Sequence, residues 1–182
     1  QIYPGLILMA SQIGLVEIGA VRATQDASET GTLNPSVRSI VAYNTDSEII
    51  PVLRSNGVTL AQVRPGGGTI SGSSTVVNLD AWNWEDAIVK EDDGIHLHWP
   101  STFRRGRWWL GEPRGYQPNK EYGEQQEEVL RFVENAKAYG AGEVTEQNPA
   151  FAAMQGLFDG SKRLYVYADG EREIIDGVSS MK

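Results

Sequence analysis

The chain has two histidines, and they stand two residues apart as His96-Leu97-His98. On a strand such a pair shares one face, which is the spacing that offers two imidazoles to one zinc ion. Zinc would need further ligands, and Trp99-Pro100 interrupts any strand at once. The expected reading is two loop histidines facing solvent or packing on Trp99; zinc held by His96 and His98 is the alternative. A second pair at the same spacing is Ala10-Ser11-Gln12, at the end of the apolar run Leu6-Ile7-Leu8-Met9. Continuous apolar runs of this kind form buried parallel strands, whose C-terminal ends face the crevice where α/β proteins bind ligands. Glu17, Asp26 and Glu29 follow that run and are candidates to line the crevice, although carboxylates are ordinarily solvated.

Other chemistry is poorly specified. Gly66-Gly67-Gly68 is a candidate anion nest. A phosphate loop needs Lys after its last glycine, and Gly72 is followed by Ser73. With two histidines among many hydroxyls, no Ser-His-Asp set can be chosen, and the absence of cysteine excludes disulfides and thiolate metal sites.

The elements that must position these residues read as α/β. Pro4-Gly5 leads into a strand, and Val16 to Asn34 is mostly loop. Asn34-Pro35 opens a helix with Val37, Ile40 and Val41 inward, and Asn44 to Ser47 caps a second one that ends at Asn56-Gly57. Val58 to Arg64 is the clearest strand, making a βαβ-like unit whose default pairing is parallel. Thr75 to Leu79 is another strand, returning as a hairpin, and Ala81 to Ala87 starts a helix. Residues 91–120 form a long, irregular, aromatic and basic excursion with Trp99, Trp108, Trp109, Arg104, Arg105, Arg107 and Arg114. Val129, Phe132, Val133 and Ala136 mark a helix, and Asn148-Pro149 caps the next. Arg163 to Ala168 is a strand, and Asp169 caps a last helix with Ile174, Ile175, Val178 and Met181 inward.

The 182 residues suffice for one domain with a real core. Sixteen basic against 24 acidic residues give a charge of −8, which argues against nucleic acid as a partner. No apolar run is long enough to span a bilayer. Gln1-Ile2-Tyr3-Pro4 and the last helix, running to Lys182, read as ends cut from something longer, and the compartment is left open.

Tyr3-Pro4-Gly5-Leu6-Ile7 resembles the start of the first barrel strand of the amidohydrolase superfamily, metal-dependent (β/α)8-barrel hydrolases of C–N and related bonds. Ser55 to Val63 resembles the family's Gly-Val-Thr-Thr strand, and Pro65 to Val77 the Gly-rich stretch of imidazolonepropionase-like members. Leu164 to Ala168 resembles a later strand that carries a metal-binding histidine. The resemblance implies a partial (β/α)8 barrel, residues 1–182 being one unit, with a mostly parallel sheet and flanking helices. The family's His-x-His falls on Ala10 and Gln12, its aspartate on Leu8 and its later histidine on Tyr167. No cofactor is therefore expected, and the chain is expected to be inactive by the metal route. Gln12, Glu17 and Tyr167 are the candidate pocket residues. A carbohydrate- or peptide-binding module using residues 99–116 is the alternative function. A whole barrel takes ~250 residues, so open strand edges and association, as a homo-oligomer, are expected.

Overall fold

The computed structural model describes residues 4–106, 108–142 and 147–181. Gln1, Ile2, Tyr3, Arg107 and Lys182, which figure in the sequence reading, lie outside the described residues. In chain order the elements are β1 (Leu6–Ser11), α1 (Ile49–Ser55), β2 (Val58–Val63), β3 (Ile70–Asn78), α2 (Trp84–Ala87) and β4 (Ile88–His98). There follow β5 (Phe103–Arg105), β6 (Tyr116–Pro118), α3 (Tyr122–Gly140), α4 (Pro149–Phe158), β7 (Arg163–Tyr167) and α5 (Glu171–Ser180).

A curled five-stranded sheet has the order β1-β2-β3-β4-β7. The β1–β2 and β4–β7 pairs are parallel, and the β2–β3 and β3–β4 pairs are antiparallel. Strands β1, β2, β4 and β7 therefore run one way and β3 alone runs against them. The mostly parallel sheet holds for strand direction, but half of the pairings are antiparallel. The cause is the connection after β2. Six residues, too few for a parallel crossover, turn the chain through Gly67 (φ 77°) and Gly68 (φ 64°). The hairpin return was legible; its start was not, because Ser71, Ser73 and Ser74 are buried strand residues rather than loop.

The outer face of the sheet is covered in two sections. Ile13, Leu15, Ile40, Tyr43 and Ile50 pack on Ala61, Val63 and Val77. Val129 and Ala136 of α3 and Met154 of α4 pack with Ile70, Ile95, Leu97 and Trp99. Each fully buried side chain of this size contributes about 1.5–3 kcal/mol of transfer free energy. Pro51 falls in the first turn of α1, where its missing N–H costs nothing. The Asn34-Pro35 helix reduces to one turn of 3-10 helix, Ser39–Ala42.

Three sequence expectations fail in the last third and the excursion. Residues 91–98 belong to β4, so the excursion begins at Trp99, which is buried and donates its indole N–H to the Tyr122 hydroxyl at 3.3 Å. The helix α5 turns Glu173 and Gly177 inward, and Ile174, Ile175 and Val178 are exposed. Its N-cap is Gly170 rather than Asp169. Among the described residues, no helix is long and apolar enough to cross a membrane.

Candidate functional site at the strand ends

Strand alternation decides which side chains meet. Ala61 and Val63 enter the outer core, so Gln62 and Arg64 face the other way. Ile95 and Leu97 do the same on β4, leaving His96 and His98 on the inner face beside Tyr165 and Tyr167 of β7. Ala10, Arg64, His98 and Tyr167 thus stand at or just past the C-terminal ends of the four co-directional strands. In α/β barrels this is the ligand-binding end.

A chain of short contacts links them. His96 is fully buried and stacks on Tyr165 (4.8 Å between ring centres) and on Tyr167 (5.7 Å). Its Nδ1 shares a 2.8 Å hydrogen bond with the Tyr167 hydroxyl, and its Nε2 is buried with no hydrogen-bond partner among the described residues. His98 stacks on Tyr167 at 4.7 Å, and the Arg64 guanidinium lies 4.9 Å from the centre of that ring. Arg64 donates from Nε to the Ala10 carbonyl at 3.1 Å, while the Gln62 amide oxygen accepts from Ala10 N–H at 3.2 Å. These bonds hold Ala10 in a left-handed conformation (φ 53°) where the register of β1 with β2 slips.

Deeper on the same face, Asp93 accepts from Gln62 (2.9 Å), Lys90 (2.6 Å) and Tyr165 (2.6 Å). A bulge with Asp92 at φ 47° turns it there. Burial raises the Asp93 pKa, but the bonds from Lys90, Tyr165 and Gln62 outweigh it and hold the carboxyl below its ordinary value. Burial, then the Arg64 charge and His98, push His96 down to about 4, so it is neutral near pH 7. Burial followed by Arg64 also lowers His98, against the pull of Asp169. Burial raises Tyr167.

The three candidate pocket residues separate. Tyr167 is at the centre of the cluster. Gln12 packs its amide on Gly66, where any Cβ would collide with it. Glu17 accepts from Ser47 Oγ at 2.9 Å and from Asn44, bracing the loop ahead of α1. The histidines are strand residues, not solvent-facing loop residues. Arg64, Gln62, Asp93 and Tyr165 were missed, although the alternations Ala61/Val63 against Gln62/Arg64 and Ile95/Leu97 against His96/His98 carried the signal.

Comparison with solved structures finds an amidohydrolase from Thermotoga maritima MSB8, at TM-score 0.78 and 19% identity. The match covers 98% of this chain and 48% of that one, so the chain spans about half the neighbour's length. At that identity the likeness establishes a shared fold, an amidohydrolase-like half-barrel. No protein-family model and no curated protein matches.

The positions that the sequence resemblance assigns to metal ligands carry other groups here. Ala10 has no donor atom, Gln12 is packed on Gly66, and the Tyr167 hydroxyl is engaged by His96. Among the described residues, no group of three His, Cys, Asp or Glu side chains is placed to hold an ion.

Proposed function

We propose that this chain is half of an amidohydrolase-like barrel that keeps the strand-end site and does not run metal-activated hydrolysis. It uses that site to bind a small molecule. The observation that carries the reading is the occupancy of the ligand positions: Ala10, Gln12 and Tyr167 stand where resemblance to the family places three histidines. Two of these side chains already have contacts inside the chain. The pairing of neutral His96 with Tyr167 is a fixed hydrogen-bonding wall rather than a metal shell. The test is hydrolysis of a panel of lactams and cyclic imides by purified protein, with and without added zinc. Rates equal to buffer in both conditions support the reading; zinc-dependent turnover overturns it.

One observation favours a second reading, a carbohydrate- or peptide-binding surface. Trp108, Trp109 and Tyr116 are all more than 60% exposed, and Arg114 lies over Trp108. Quenching of tryptophan fluorescence by oligosaccharides or peptides, lost on Trp108→Ala, would support it.

A further inference from the structure

We propose that the strand-end site takes a small oxyanion, a carboxylate or a phosphate, with Arg64 as the binding charge and His98 and Tyr167 beside it. The proposal deepens the metal-free reading and rests on it. Arg64 forms no salt bridge among the described residues; it donates to the carbonyls of Ala10 and, from Nη1 at 3.2 Å, of Pro65, and hydrogen-bonds the Tyr167 side chain. Two carbonyls and a phenol orient a guanidinium without neutralising it, and they leave two of its five N–H donors to spare. The Tyr167 ring fixes its plane from one side. Arg64 is half-buried, so its field is less screened than that of a surface arginine.

The buried carboxylate of the network is committed elsewhere. Asp93 is held by Lys90, Gln62 and Tyr165. Asp169, just past β7, is the acidic group whose field reaches His98. The positive field of Arg64 still reaches both rings, since it lowers the pKa of His96 and of His98. A chain of net charge −8 thus places, at the ligand end of its sheet, a cation with no salt-bridge partner among the described residues. Planar, forked donors of this kind recognise carboxylate and phosphate oxygens two at a time. Where a metal-dependent barrel would hold a cation to polarise its substrate, this one supplies its own cation to hold an anion.

The experiment is calorimetric titration of the full chain with inorganic phosphate and with malonate, at ionic strength fixed by sodium chloride. The ring-proton NMR signals of the chain's two histidines, at constant pH, report the location. Saturable binding that shifts the His98 signal, and that weakens about tenfold or more in Arg64→Gln, is the expected result. The anion that binds more tightly identifies the source, phosphate ester or carboxylic acid. If neither anion shifts the histidine signals beyond the chloride control, or if Arg64→Gln binds as the parent does, the proposal is overturned. Should Arg64→Gln fail to fold by circular dichroism, Arg64→Lys is read instead. It keeps the charge but loses the fork, so several-fold weaker binding is expected, and unchanged affinity overturns the proposal. Zinc uptake, measured separately, tests the metal-free reading; absence of both metal and anion binding defeats the anion proposal alone.

Discussion

His96 and Glu173 are two buried groups whose titration the fold opposes, in different acid ranges. His96 ordinarily titrates near 6.5 but stays neutral in the native state until about 4. The unfolded chain therefore takes up a proton that the native chain refuses as pH falls. Stability is intact above about 6.5 and is lost between there and about 4, by roughly 3 kcal/mol at most. His96→Phe keeps the stacking and should flatten that part of a pH–melting curve; an unchanged slope contradicts this. Glu173 is 4% exposed. Burial raises its pKa, but bonds from the N–H groups of Thr102 and Gly170 and the hydroxyls of Ser101 and Thr102 bring it down to about 2. Its contribution is present above the ordinary value of 4.5 and lost as pH falls toward 2. Glu173→Gln should cost about 1–3 kcal/mol at pH 7, with the gap to the parent closing below pH 4 in denaturant titrations. Neither residue could be assigned this state from sequence. A lone glutamate in a helix reads as solvated, and its five donors, the Asp169 N–H at 3.3 Å included, come from residues 101–102 and 169–170, which only the tertiary fold brings together.

At the scale of elements, local chemistry was legible where it is short-range. Asn148 caps α4 as its position before Pro149 indicated, accepting from Ala150 N–H at 3.0 Å and Phe151 N–H at 3.3 Å. Asn148→Ala should destabilise by about 1 kcal/mol in thermal melts. Gly57 at φ 86° closes α1 as Asn56-Gly57 predicted. Direction and facing were harder. The spacing of Ile174, Ile175 and Val178 revealed an amphipathic helix but could not say which side meets the sheet. The glycine decided it, because Gly177 lies against the Trp99 indole. A Cβ there would sit 3.5 Å from that ring, an ordinary contact. Gly177→Ala should raise stability by about 0.5–1 kcal/mol through helix propensity, and a fall in melting temperature would show that the helix packs more tightly than this. The site was half legible for the same reason. The changed positions Ala10, Gln12 and Tyr167 are sequence facts, whereas Arg64 meets Tyr167 only because β2 and β7 lie in one curled sheet.

At the scale of the molecule, the sheet formed by the described residues ends in two edge strands, β1 and β7. Leu6, Ile7 and Met9 are exposed on one, Val166 and the Ile174–Val178 stripe of α5 by the other. Long apolar edges pair with other chains unless covered. The 182-residue chain on its own should therefore associate, giving a light-scattering mass above the 20.0 kDa of one copy. Val178→Glu should reduce that association, and a stable monomer would contradict the half-barrel account of these edges. Whether the strand-end site holds a metal is decided by elemental analysis after equilibrium dialysis against zinc. Well under one zinc per chain is expected, unchanged by substituting His96 and His98 together. One zinc per chain, lost in that double variant, would contradict it.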